Sequence, residues 1–360
     1  MIRSQAAGKL FVAGEYAVVE PGNPSVLVAV DRFVSVELTP SVDQGRIHSD
    51  QYGRQPLVWR RDAGRIVLER QDRPADYVPV AIDTVERFAA ERGTALSFYE
   101  LAITSELDDV NGRKFGLGSS AAVTVATVRA VAEYYGLDLT PLEVFKLSLL
   151  ATIDVNPRAS GGDIAASVFG GWIAYSAPDR EALAARLRTE SVAAIVGSDW
   201  PDLSVRRVSA PRSLRLVVGW TGEPASTSRY VSELSGRQWR QSAHYERFLD
   251  ASGACVSGLI AALDADDAPA ALRSIRTARG LLSELSAAAS LNIETPELAA
   301  LCRAAEAAGG AGKPSGAGGG DCGIALLPAE ADLAPLLRRW EQEDIRHLAL
   351  QVHPPEGEPE

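Results

Sequence analysis

Lysine is nearly missing from this chain. Of 36 basic residues among 360, only Lys9, Lys114, Lys146 and Lys313 are lysines. Cysteine is scarce as well: Cys255, Cys302 and Cys322 are odd in number, far apart and without metal-type spacing. That disfavours a disulfide framework and a structural zinc site and points to a reducing compartment. The four histidines, His48, His244, His347 and His353, stand in unrelated contexts, which argues against a metal cluster or a histidine-based triad. No apolar run approaches the roughly 20 residues that span a bilayer. The opening stretch MIRSQAAGKLFVAGEYAVV turns glycine-containing and acidic where a signal peptide carries its apolar core. A cytoplasmic protein without a membrane partner is therefore expected. An excess of positive charge is also lacking: the net charge of -11 disfavours nonspecific nucleic-acid binding, which needs a basic surface. An anionic ligand would need local positive charge to overcome that global field.

What is present is a globular composition, 46% hydrophobic and 23% charged, over a length that leads one to expect two domains. Three of the four lysines stand in or beside glycine-containing loops. Lysine is a compact point charge where arginine is a broad planar fork, and the two exchange poorly in a tight phosphate site. Those three loops are where local charge is expected. Lys146, inside the helical pattern PLEVFKLSLLATI, reads as ordinary.

Residues 8–38 read as two β segments, KLFVAGEYAVV and SVLVAVDRFVSVEL, separated by the turn EPGNP. A hairpin-like LVWRRDAGRIVLE, a helix in PADYVPVAIDTVERFAAERG and a strand in ALSFYELAITSEL follow. A helix is expected from about Ser120 to Tyr135, and another behind Thr140 as N-cap with Pro141 at the first helical position. NPRASGGDIAASVFGGWIAY reads as glycine turn, short helix and strand, and the weakly patterned 179–212 as the region of the domain boundary. Beyond it come the strand SLRLVVGW, alanine-rich helices over about 240–309, the glycine loop GGAGKPSGAGGGDCG and the strand IALLP. A helix and the strand RHLALQVHP close the fold. The expected division is 1–190, 205–352 and a disordered tail from 353 to 360.

The chemistry concentrates in the glycine loops. GLGSSAA, residues 116–122, opens directly onto an apolar helical run. A helix N-terminus presents unpaired N–H groups and the positive end of the macrodipole. Glycines before it let a phosphate reach the main chain, and serines add hydroxyls for an anion or Mg2+. The loop is not a Walker A motif, because Lys-Ser/Thr does not follow a second glycine at the required spacing. It fits a loose dinucleotide pattern, Gly116-x-Gly118-x-x-Ala121, but DDVNGRK precedes it where a buried parallel strand should run. A purely structural glycine turn remains the plain alternative for this loop alone. SGGD, ending at Asp163, and GAGGGDCG, residues 316–323, repeat the combination of small residues with a nearby charge. Three such loops point to close backbone approach to a ligand more strongly than one.

Three motifs, AAGKLFVAGEYAVVEPG, KFGLGSSAAV and KPSGAGGGDCGIAL, occur in that order over nearly the whole chain, and in this the sequence resembles the GHMP kinases. Tyr16 in GEYAVV, VGWTGEPASTS at 218–228 and GGGDCGIAL resemble most the bacterial phosphomevalonate kinases of that superfamily. The resemblance implies two α+β domains, a ribosomal protein S5 domain 2-like N-terminal one and a ferredoxin-like C-terminal one, with the active site between them. It implies transfer of the γ-phosphoryl group of ATP to (R)-5-phosphomevalonate, with Mg2+. Gly116, Leu117, Gly118, Ser119, Ser120 and Ala121 would then wrap the ATP phosphates, with Ser120 as a Mg2+ ligand. Lys9 and Lys114 would supply charge, and Asp163 would stand at the catalytic aspartate position. Lys9, Ser160, Thr227, Ser228, Gly316, Ala317, Gly318, Gly319 and Asp321 would hold the substrate, with Arg158 a weaker candidate. Where mevalonate kinases carry a glutamate ligand to Mg2+, this chain has Thr152, with Asp154 as a substitute nearby. Mevalonate kinase or another small-molecule GHMP kinase is the alternative of the same fold, and a non-catalytic metabolite-sensing member of the family is the alternative of a different class.

Overall fold

The computed structural model describes residues 1–53, 55–70, 76–109, 111–222 and 242–356. The first domain runs β1 (Ile2–Ala13), β2 (Pro24–Ser41), β3 (Gly45–Ser49), β4 (Leu57–Asp62), β5 (Arg65–Leu68), α1 (Tyr77–Glu91), β6 (Phe98–Ser105), α2 (Ser119–Tyr134), α3 (Pro141–Val155), α4 (Gly162–Phe169), β7 (Trp172–Ser176), α5 (Arg180–Arg186), α6 (Val192–Val196) and β8 (Ser204–Val208). The second runs β9 (Leu214–Trp220), α7 (Ala243–Asp264), α8 (Ala268–Ala289), α9 (Pro296–Ala307), β10 (Ala311–Pro314), β11 (Cys322–Pro328), α10 (Ala334–Gln342) and β12 (Arg346–Leu348).

The long strand β2 organises the first domain. β1 pairs along one edge of it, while β6 and β7 share the other, β6 on the C-terminal half and β7 on the N-terminal half. The sheet order is β5-β4-β3-β6-β2-β7-β8, with β1 beside β2. The sequence explains the burial: VLVAV is apolar throughout and is buried on both faces, whereas FVSVEL alternates and is buried at every second residue. Helices α2 and α4 pack on β2, as does α7 of the second domain. The second sheet, β10-β11-β9-β12, is wholly antiparallel. Numbered as the four strands of that domain it reads 2-3-1-4, the strand order of a ferredoxin-like fold, with α7, α8 and α9 in the first crossover.

Several expectations need adjustment. GEYAVV does not continue the first strand: β1 ends at Ala13, and positive φ at Gly14 and Tyr16 turns the chain into a short 3-10 segment at Ala17–Val19. The loop expected over 309–323 contains a strand, β10. Strand β8 pairs with β7, so the first sheet extends through Val208, past the boundary expected at 190. The expected disordered tail is held at its start: His353 N donates to Ala29 O at 2.9 Å, and Glu356 N to Phe169 O at 2.7 Å.

Candidate active site

Two helix starts, one strand and the loops between them deliver most of the predicted residues to one cavity of about 350 Å3 between the two domains. Lys9 lies in β1, and its backbone N–H donates to Leu117 O at 2.9 Å, so the glycine loop is laid directly along the strand. Lys9 is 8% exposed. Its Nζ donates to Gly116 O at 3.3 Å and lies 5.6 Å from the centre of the Phe11 ring. An ammonium held in this way is aimed and only partly hydrated.

The helix ends differ from the rest of the fold in a telling way. α1, α3 and α5–α9 each have a side-chain oxygen accepting from their first turn, α3 through a capping box between Thr140 and Glu143. α2 has none. Its N-cap is Gly118 at φ 82°, in the left-handed region that a side chain rarely adopts, and no side chain caps the amides of Ser119, Ser120 and Ala121. Those amides and the dipole are available to an anion in the cavity. α4 also starts from a left-handed glycine, Gly161 at φ 83°, but its first turn satisfies itself. Gly162 N donates to Ser160 Oγ at 3.3 Å, and Ile164 N to Asp163 Oδ1 at 3.1 Å. The first end offers donors and the second a carboxylate.

The cavity brings together Lys9, Lys114, Gly116, Gly118, Ser119, Ser120 and Ala121 with Ser160, Asp163, Arg158, Gly316, Ala317 and Asp321. Asp321 packs directly against Gly116, where a Cβ would lie 2.6 Å from Asp321 Cβ. Lys114 is exposed at the mouth. Other candidates fall elsewhere. Leu117 is buried in the core and meets the site only through its carbonyl. Gly318 and Gly319 do not line the cavity: their main chain closes on Ile293, with Gly319 N donating to Ile293 O at 2.8 Å. Asp154 is exposed and is not in the cavity wall, whereas Thr152 is buried in it. Thr227 and Ser228 lie outside the described residues.

Lys313 corrects the lysine argument. It is completely buried and forms an ion pair with Glu15, while also donating to Pro314 O at 2.6 Å. Its charge neutralises Glu15, which lines the cavity and also accepts from Gly316 N at 3.4 Å. The pair ties the turn after β1 to the second domain. Ser315 adds to the same seam, its Oγ bonding both Phe11 N and Phe11 O at 2.9 Å.

Three contributors were not singled out as site residues in the sequence. Tyr16 lines the cavity and donates its hydroxyl to Ala317 O. Tyr77 opens α1, and Asn156 caps the end of α3; both line the wall near Asp163. Burial, followed by the negative field of Asp163, raises the Tyr77 phenol above its ordinary pKa, against a hydrogen bond with Asn156 that lowers it. Burial also raises that of Tyr175, which donates to Ser160 O at 2.6 Å and fixes the loop before Asp163. The Asn-Pro step at 156–157 was a helix-end signal, but nothing in the sequence tied Tyr77 to it.

The comparisons with known proteins bear on the family and the fold. The family model for the GHMP kinases N terminal domain matches residues 79–171, and that for the GHMP kinases C terminal domain matches 259–346. A phosphomevalonate kinase of Streptomyces sp. (strain CL190) is 50% identical over 357 residues, covering 96% of this chain and 95% of that protein. The solved structure of Streptococcus pneumoniae phosphomevalonate kinase in complex with phosphomevalonate and AMPPNP superposes with a TM-score of 0.85 at 31% identity, covering 98% of this chain and 100% of that one. The Lin0012 protein from Listeria innocua superposes with a TM-score of 0.90 at 35% identity, over 99% of both chains. With both domains matched and half of all residues shared with a full-length relative, the chain belongs to the GHMP kinases.

Proposed function

We propose that this protein transfers the γ-phosphoryl group of ATP to (R)-5-phosphomevalonate, giving 5-diphosphomevalonate and ADP. The observation that carries the proposal is the convergence of the uncapped α2 N-terminus, Lys9 and Asp163 on one interdomain cavity. The Streptomyces and Streptococcus relatives supply the acceptor's identity. Phosphoryl transfer asks a protein mainly to align two polyanions and to neutralise the charge that develops between them. The amides of residues 119–121 bind the nucleotide phosphates. Lys9, beside the glycine loop and in the same cavity wall as Asp163, neutralises the oxygens passing from donor to acceptor. Lys114 and Arg158 add positive charge at the rim.

The acceptor is itself a phosphate. Its second pKa is about 6, so its attacking oxygen is anionic at neutral pH and needs little deprotonation. Asp163 orients the ammonium and the acceptor in this reading more than it removes a proton. The donor set suits Mg2+ carried by nucleotide phosphates: the described residues contain no group of three acidic or other metal-ligating side chains, and Mg2+ commonly uses few protein ligands beside phosphates and water. Ser120, with the Asp163 carboxylate, would hold it, and the ion would neutralise phosphate charge. A cytoplasmic location fits three unpaired cysteines and helices too short or too polar to cross a membrane among the described residues.

A coupled assay of ADP release with phosphomevalonate, mevalonate and homoserine tests the proposal. Turnover with phosphomevalonate, exceeding the others by about a hundredfold or more in kcat/KM, is expected. A preference for mevalonate or homoserine would replace the assigned acceptor. No turnover with any of the three would favour a non-catalytic role.

A further inference from the structure

The groups assigned to the reaction lie at one end of their elements, and the opposite ends of those elements meet at one arginine. Arg129, on α2, donates to Gln5 O of β1 at 2.9 Å and to Val168 O of α4 at 3.0 Å. It also pairs with Glu356 at 2.8 Å. Strand β1 carries Lys9, α2 begins at Ser119 and Ser120, and α4 begins with Gly162 and Asp163. A single guanidinium therefore joins the three elements that supply the site.

Glu356 reaches Arg129 because the chain returns from the second domain as a strap. Val352 bridges to Val30, His353 O accepts from Gly171 N at 2.8 Å, and Glu356 N donates to Phe169 O at 2.7 Å. Arg207 completes the arrangement, donating to Phe169 O at 3.1 Å and to Glu356 O at 3.0 Å. The surface is shaped for this segment: a Cβ on Gly170, at φ 63°, would lie 2.3 Å from Pro354 O. The C-terminal carbonyls of α4 thus receive two guanidinium groups at the negative end of the helix dipole, while Asp163 occupies the positive end.

We propose that Arg129 and the strap 353–356 are a positioning latch: they set the axial position of α4, and with it Asp163, relative to Lys9 and the α2 amides. The latch touches no substrate. Because a displacement of about 1 Å at a reacting group costs on the order of a hundredfold in rate, a shift of a few tenths of an ångström should be visible in kcat. It should leave KM for either substrate nearly unchanged, since the binding amides of α2 stay in place. The turnover readout rests on the kinase reading above; the latch itself has a second readout independent of it.

The test uses the full chain, the variants Glu356→Gln and Arg129→Met, and a chain ending at Val352. For each, kcat and both KM values are measured, together with hydrogen exchange of the amides in 162–169. Expected are a fall in kcat of roughly tenfold for Arg129→Met and for the shortened chain, KM within about twofold, and faster exchange in α4. Glu356→Gln, which keeps the main-chain contacts, should show the same pattern at about threefold and decides the matter if the others fold poorly. Unchanged α4 exchange, or a proportional rise in both KM values with kcat retained, would overturn the latch. Absence of turnover in the wild-type protein would instead overturn the kinase reading and leave the exchange result to judge the latch.

Discussion

Replacing Gly118 with alanine isolates the contact between the glycine loop and Lys9. Two costs follow from the structure. The first is conformational: at φ 82° an L-residue loses about 1 kcal/mol relative to glycine. The second is local. The new Cβ would stand 2.9 Å from Lys9 Cε and 3.1 Å from its Cγ, so the lysine must swing aside. The end of a lysine yields easily, so this adds little to the loss of stability, but it withdraws Nζ from its position beside Gly116 O. Gly136→Ala is the matched control, because Gly136 has φ 65° and a Cβ there meets nothing within 4 Å. Both variants should lose about 1 kcal/mol in denaturant melts, equivalent to roughly 2–4 °C in a domain of this size. Only Gly118→Ala should lose turnover, by about tenfold or more, with the misplaced ammonium as the cause. Steady-state kinetics with ADP detection and guanidinium melts on the same preparations make the comparison. Equal kcat in the two variants would refute the assignment of Lys9 as the aimed charge.

Lys9→Arg should lower kcat by on the order of a hundredfold while ATP affinity by calorimetry stays near wild type, because the planar fork does not fit a site that holds a point charge; near-normal turnover would remove the argument. Asp163→Asn should keep a measurable rate that rises with pH through about 6 and then levels off, following the acceptor's own second ionisation. No turnover of that variant between pH 6 and 9, with fold and ATP binding intact, would restore Asp163 as an obligatory base. Glu15→Gln should destabilise the protein by on the order of 3 kcal/mol, since it leaves the buried Lys313 without its counter-charge, and a denaturant midpoint equal to wild type would contradict the pairing. All three thiols should resist a thiol reagent at pH 8 in the folded protein and react on unfolding. Burial raises the pKa of Cys255 and Cys322 and takes that of Cys302 up to about 12, so the reactive thiolate is scarce. Fast native labelling would reject this.

The features readable from sequence were those set by local chemistry. Thr140-Pro141 marks the start of α3 because the hydroxyl and the ring act within one turn. GLGSS and SGGD mark helix starts because left-handed glycines are needed where the chain turns into α2 and α4. What sequence could not separate was the use to which similar loops are put. SGGD looked like a second version of GLGSS, yet Ser160 and Asp163 satisfy the amides of α4 themselves, and the result is a carboxylate instead of an anion cradle. Gly318 and Gly319 looked like ligand contacts, but the close approach that requires glycine is to the main chain at Ile293. Lys313 looked like a third phosphate charge and is the partner of Glu15. The strap was hidden for a different reason: residues 353–356, HPPE, have no periodicity, and their order comes from partners such as Ala29, Phe169 and Arg207 that lie more than a hundred residues away.

The electrostatic problem posed by an acidic chain that binds anions has a local solution here. Three carboxylates beside the glycine loops line the cavity: Asp321 packs on Gly116, and Glu15 and Asp163 are each differently disposed of. Glu15 is neutralised from behind by Lys313, so it adds little repulsion while its oxygen orders Gly316 N. Asp163 spends one oxygen on its own helix start, which fixes the carboxylate in the cavity wall. In the proposed reading the groups that would face the phosphates are the ammonium of Lys9 and the amide N–H dipoles of α2, and the net charge of -11 counts for less than these near groups because an interdomain cavity with low-dielectric walls weights near charges above distant ones. On this view the scarcity of lysine matters less than its placement: one lysine acts on the ligand, one cancels an acid behind it, and one at the mouth meets the incoming anion.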